Sequence, residues 1–157
     1  MKPVSLLLAG FFLLMFSACD RGTLSEADKP GRKVIATREA PAAVGPYSQG
    51  ILAGNTLYCT GQLAIDPASG TLISGGIKAQ TRQVMKNLGA VLAAAGMNYD
   101  DVVRTTVYLA DISDYKEMNE AYAEFFPTIR PARATVQVGR LPAGALLEVS
   151  CIAVKPE

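Results

Sequence analysis

Apolar and polar positions change their period several times along the chain, and each change marks an element. The run Leu6–Phe16 is apolar throughout and uncharged, whereas Asp20–Arg32 is polar, contains Gly and Pro and has no apolar period. Lys33–Thr37 is a short strand candidate. Pro41–Tyr47 reads as loop, because its two prolines lack donors and restrict the residues before them. Gly50–Ala53 and Thr56–Thr60 flank Gly54-Asn55, a turn dipeptide that predicts a β-hairpin. Asp66–Gly70 carries the signals of another turn. From about Gly76 to Gly96, residues Ile77, Thr81, Val84, Leu88, Val91, Leu92 and Ala95 follow helical spacing, with Gly96 as the stop. Val102–Leu109 alternates and is β-branched, hence a strand. A second helix is predicted from Ser113, as N-cap with Glu117 nearby, to Phe126, with Pro127 ending it. Its apolar stripe is Tyr115, Met118, Tyr122, Phe125 and Phe126. Ala134–Val138 and Leu146–Val154 complete the strands.

Hairpin, helix, strand, helix, hairpin predicts an α+β domain, a mostly antiparallel sheet with two helices packed on one face. The other face is left in need of a partner, which points to oligomerisation through sheet faces. There is no internal repeat. The expected organisation is a leader over 1–19, a flexible tether over 20–32 and one domain over 33–157, about 125 residues and of ordinary size.

The leader has a physical signature of its own. Lys2 gives a positive start, an apolar stretch follows, and the small residues Ser17-Ala18 precede Cys19. The apolar run is shorter than the roughly 20 residues that cross a bilayer core. Phe16-Ser17-Ala18-Cys19 resembles a bacterial lipobox, in which the thiol at the new N-terminus carries a lipid; Leu is commoner than Phe at its first position. The alternative is an ordinary cleaved signal with an incidental cysteine. A lipoprotein on the periplasmic face of a bacterial membrane is the expectation, with Asp20 favouring the inner membrane.

Composition then narrows the chemistry. Fifteen basic and fourteen acidic residues leave a net charge of +1 with no long like-charge run, which gives no electrostatic argument for nucleic acid. The chain has no histidine, so Ser-His-Asp and Cys-His arrangements and His-based metal sites are excluded. Beyond Cys19 only Cys59 and Cys151 remain, too few for a zinc-type cluster. They lie in strand-like surroundings and either pair in an oxidising compartment or stay as buried thiols. Catalysis is left to Glu, Asp, Arg, Tyr, Ser, Thr or backbone groups.

Two residues break their local pattern. Arg133 opens a strand of small and apolar residues; it is either a surface arginine capping a loop or a fork for a carboxylate. Glu148 interrupts Leu146–Val154, a nearly continuous apolar strand of the kind found at the centre of a sheet. A carboxylate there is either salt-bridged or a general base acting on water.

Ala40–Gly50 (APAAVGPYSQG), Thr60-Gly61-Gln62, Pro131-Ala132-Arg133 and Leu147-Glu148-Val149 resemble, in order and spacing, the Rid (YjgF-type) reactive-intermediate deaminase family, from about residue 33 to the C-terminus. The resemblance implies a chorismate-mutase-like fold and a homotrimer whose sheets line a central barrel, with active sites between subunits. It implies hydrolysis of 2-imino and enamine acids to 2-oxo acids and ammonia, without a cofactor or metal. By position, Arg133 would clamp the substrate carboxylate and Glu148 would activate water and move a proton to the leaving nitrogen. Tyr47 and Asn119 would line the pocket, Thr60 would offer a hydroxyl, and Thr135 would offer its backbone N–H. The family commonly has Ser where Thr60 stands and Cys where Thr135 stands, so thiol-dependent behaviour is lost here. The rival readings are a non-catalytic trimer binding a small carboxylate and a chaperone-like trimer.

Overall fold

The computed structural model describes residues 31–156. The leader, Cys19 and most of the tether lie outside the described residues. Among the described residues no helix is long and apolar enough to cross a membrane.

The strands are β1 (Arg32–Ile35), β2 (Gly50–Ala53), β3 (Thr56–Gln62), β4 (Ile65–Asp66), β5 (Thr71–Leu72), β6 (Val102–Leu109), β7 (Ala132–Gln137) and β8 (Leu147–Val154). The helices are α1 (Ile77–Ala94) and α2 (Tyr115–Ala123). Six strands form one sheet in the order β1-β2-β3-β8-β6-β7, and β4 and β5 make a separate two-stranded hairpin. All pairings in the large sheet are antiparallel except β6 with β7, which is parallel because α2 lies in the crossover between them.

The sheet has two unlike faces. On β8, Leu147, Val149, Cys151 and Ala153 are buried, while Glu148, Ser150, Ile152 and Val154 alternate to the other side and remain partly exposed. Leu57, Leu88, Leu92, Val107, Leu147 and Val149 form the centre of the core between sheet and helices. Burial of each such side chain stabilises the fold by about 1.5–3 kcal/mol. The face away from the helices exposes Tyr58 and Val136, at 52% and 45%.

The long helix and the central strand follow the sequence expectation closely. The apolar stripe of α1 is buried, and Gly96, at φ +71°, terminates the turn after it. Three polar side chains on this helix are buried for a reason: Thr81 donates to the Ile77 carbonyl, Gln80 accepts from Leu146 N–H, and Asn87 donates to the carbonyls of Leu63 and Ile65. The second helix differs from expectation. Asp111, not Ser113, supplies the capping acceptor, taking the Ser113 N–H at 2.8 Å, and a 3-10 turn over Ile112–Asp114 precedes α2. The helix ends at Ala123; Phe126 is buried beyond it. Tyr115, part of the apolar stripe by its spacing, is exposed. Cys59 and Cys151 are cross-strand partners, both buried and both free. Their mutual hydrogen bond, and then burial, push the Cys151 thiol pKa up.

Candidate active site

The candidate site residues fall into two clefts. The first lies between α2 and the edge strand β7, has a volume of about 850 Å³, and is lined among others by Tyr115, Asn119, Tyr122, Arg133 and Thr135. Register explains the placing of the strand residues. The parallel pairing matches Arg133 to Thr105 and Thr135 to Val107, both buried on the helix side of the sheet. Tyr115, Asn119 and Tyr122 are four and three residues apart and so occupy one face of α2.

Aromatic rings hold the Arg133 guanidinium. Its carbon lies 4.7 Å from the ring centroid of Tyr122 and 5.8 Å from that of Tyr115, and Nη2 donates to the Tyr115 hydroxyl at 3.3 Å. The Tyr122 hydroxyl is hydrogen-bonded to Thr105 Oγ1 at 2.7 Å, which fixes the ring under the guanidinium. Burial raises the Tyr122 pKa, whereas the Asn119 amide and then the Arg133 charge lower that of Tyr115. No carboxylate pairs with Arg133 among the described residues. The buried Asn119 Oδ1 and Thr135 Oγ1 have no hydrogen-bond partner. Buried polar atoms without partners cost about 1–3 kcal/mol each, so two of them beside an unpaired guanidinium leave this cleft with polar groups to satisfy. The backbone adds a donor. Val138 N–H bonds the Leu109 carbonyl on β6, so the alternation of amides along β7 turns the Thr135 N–H to the outer edge of the sheet.

The second cleft, of about 600 Å³, is lined among others by Tyr47, Gln49, Thr60, Gly61, Gln62 and Glu148. Glu148 stands opposite Tyr108 of β6, on the face turned away from the helices. Burial raises its carboxyl pKa. Between Cys59 and Gln62 the register with β8 slips by one residue, a bulge that contains Thr60 and Gly61. A side chain at Gly61 would overlap the Glu148 carboxylate, so the glycine is what allows that carboxylate to lie over the backbone.

Gln49 braces the loop that carries Tyr47. It is 4% exposed and its amide donates to the carbonyls of Thr37, Ala40 and Pro41, while its Oε1 accepts the Thr37 N–H at 2.6 Å. The Tyr47 hydroxyl accepts the Val44 N–H at 3.3 Å, and the ring is half exposed.

Within one chain the two clefts do not meet. Arg133, Asn119 and Thr135 are together; Tyr47, Thr60 and Glu148 are together; and the sheet separates the two sets. Sequence reasoning did not single out Tyr115, Tyr122, Gly61 and Gln49, which line the two candidate clefts. The two tyrosines looked like helix core, and a glycine within a strand pattern was the available signal for the bulge. Among the described residues no cluster of three His, Cys, Asp or Glu side chains is arranged to hold a metal ion.

Residues 37–155 match the family described as Endoribonuclease L-PSP. A RutC family protein of Pyrococcus horikoshii is 51% identical over 124 residues, covering 79% of this chain and 98% of the relative. The 2-iminobutanoate/2-iminopropanoate deaminase of Homo sapiens is 47% identical over 124 residues, covering 79% of this chain and 90% of the relative. The crystal structure of a Rid family protein, YyfA from Yersinia pestis, superimposes with a TM-score of 0.77 at 46% identity, covering 79% of this chain and 99% of that one.

Proposed function

The chain belongs to the Endoribonuclease L-PSP family, which includes the Rid (YjgF-type) proteins, and from that premise we propose that it hydrolyses 2-imino and enamine acids to 2-oxo acids and ammonium in sites built from two copies of the chain. One observation carries this reading: each cleft holds half of what the reaction needs, and the halves lie on opposite faces of one sheet.

The Arg133 half binds. Its guanidinium, held flat by Tyr122 and Tyr115, takes the substrate carboxylate through charge-assisted hydrogen bonds worth about 1.5–3 kcal/mol. The outward Thr135 N–H takes a second carboxylate oxygen, and Asn119 Oδ1 accepts from the substrate nitrogen. The Glu148 half reacts. Its carboxylate, made more basic by burial, removes a proton from water as the oxygen attacks the iminium carbon. It then returns that proton to nitrogen and takes up the hydroxyl proton as the C–N bond breaks and C=O forms; the departing ammonia accepts that second proton and leaves as ammonium. The protonated imine plus water gives the 2-oxo acid and ammonium, with no electron transfer and no step that asks for a cofactor. Thr60 and Tyr47 line the same cleft and orient the water and substrate.

Assembly is part of the proposal. Three copies joined through the exposed sheet face bring the Arg133 cleft of one copy against the Glu148 cleft of the next, as a homotrimer. The name of the human relative supports the substrate class. Although the family description names a ribonuclease, a net charge of +1 and the absence of histidine favour the imine reading over RNA cleavage. The test is ammonia release from 2-iminopropanoate generated in situ. We expect release above the buffer rate for the natural sequence and near the buffer rate for Arg133→Ala. Equal rates for protein and buffer would leave a carboxylate-binding or chaperone-like trimer.

The same domain is tethered outside the cytoplasm by lipid at Cys19. The support is the sequence Phe16-Ser17-Ala18-Cys19 after an apolar run. Cys19→Ala is expected to abolish processing and move the protein out of the membrane fraction; unchanged fractionation contradicts the tether.

A further inference from the structure

The Arg133 cleft is lined by a second arginine, Arg130, and by no carboxylate. Neither arginine is ion-paired; among the described residues the ion pairs are Lys78–Glu120 and Arg82–Glu124, on the outer faces of α1 and α2. Arg130 precedes Pro131, which disfavours helical backbone at that position, and its side chain is exposed. Being three residues apart, the two arginine Cα atoms are separated by at most about 10 Å. Two long flexible arms lining one cleft at that spacing can bracket a short molecule with a negative charge at each end.

From this pairing we infer that the site prefers imines of dicarboxylic amino acids, such as 2-iminosuccinate and 2-iminoglutarate, with Arg133 on the carboxylate next to the C=N bond and Arg130 on the distal one. The inference rests on the imine-hydrolase reading and adds its substrate class. Arg130 is a specificity-determining residue; it touches no reacting atom. The reaction is the same hydrolysis, with water added across C=N and ammonium released, and the distal carboxylate passes through unchanged. Because Arg130 is exposed, its attraction is screened by salt.

The experiment compares kcat/KM for imines released in situ by amino-acid oxidases from aspartate or glutamate with those from alanine or 2-aminobutyrate. Direct binding of 2-oxoglutarate and of pyruvate is measured in parallel. The expected result is a dicarboxylate preference that falls about tenfold in Arg130→Gln, is partly restored in Arg130→Lys and weakens with added salt. Equal kcat/KM for both classes, or a preference that Arg130→Gln leaves intact, overturns the inference while leaving the hydrolase reading standing. Arg130-dependent binding of 2-oxoglutarate over pyruvate, with no imine accelerated, supports the dicarboxylate site and overturns the hydrolase reading instead. No acceleration and no binding preference overturns both.

Discussion

The two clefts of the chain solve different physical problems. In the Arg133 cleft the charged group is supported and left unpaired: two tyrosine rings hold the guanidinium, and Asn119 Oδ1 and Thr135 Oγ1 are buried with nothing to bond. In the Glu148 cleft the charged group is made uncomfortable: burial raises the carboxyl pKa, and a bulge with Gly61 lets it lie against the backbone. The first arrangement favours binding an anion, because the cation is already oriented and has no carboxylate partner among the described residues. The second favours taking up a proton, because the carboxylate gains by neutralisation. The supports differ as well: Arg133 stands on the edge strand β7 against α2, whereas Glu148 stands on the central strand β8, in a cleft shared with the loop that Gln49 braces.

The largest effect that breaks this contrast comes from Glu148→Gln. We expect kcat to fall by about 10²–10⁴-fold in steady-state assays, with a KM that changes little. The pH profile sharpens the point. Because the folded pKa is raised, the base loses its charge as pH falls through a value above the ordinary 4.3 or so of glutamate. The acid limb of kcat should therefore sit above that value, and a limb at or below it contradicts the assignment. The stability contribution has the opposite sense. A raised folded pKa gives stability that is present at low pH and lost as pH rises through it, so Glu148→Gln should melt no lower than the natural protein near neutral pH.

A smaller effect is expected from Gly61→Ala. The added methyl group displaces the Glu148 carboxylate and should cost about tenfold in kcat while leaving binding of a carboxylate ligand at Arg133 within about twofold. Loss of ligand binding to the same extent would mean that the two clefts are not separate in function.

Much of this molecule was legible from residue pattern. The eighteen residues of α1 and the alternation of β8 span enough turns or pleats for periodicity to be unambiguous, and Gly54 and Gly96 adopt the positive φ that their turn and cap require. The family motifs also marked Arg133 and Glu148. What stayed hidden was set by long-range register. Whether Arg133 and Glu148 face the same way depends on how β7 and β8 each pair with β6, and no local signal carries that parity. The strands β4 and β5 have two residues each, too few for a period. Asp111 and Ser113 are both good capping residues two positions apart, and the backbone geometry chose between them. Tyr115 and Tyr122 shared an apolar spacing with Met118, which concealed their role beside a guanidinium.

The central claim is that one site takes Arg133 from one copy and Glu148 from another, and mixing two inactive variants tests it most directly. Arg133→Ala and Glu148→Gln proteins are unfolded together in equal amounts, refolded as mixed assemblies and assayed for imine hydrolysis. In a cyclic trimer each mixed assembly contains one site with both natural residues, so activity should return to about a quarter of the natural level. If the mixture is no more active than its separate components, Arg133 and Glu148 do not meet across an interface, and the two-copy site is wrong.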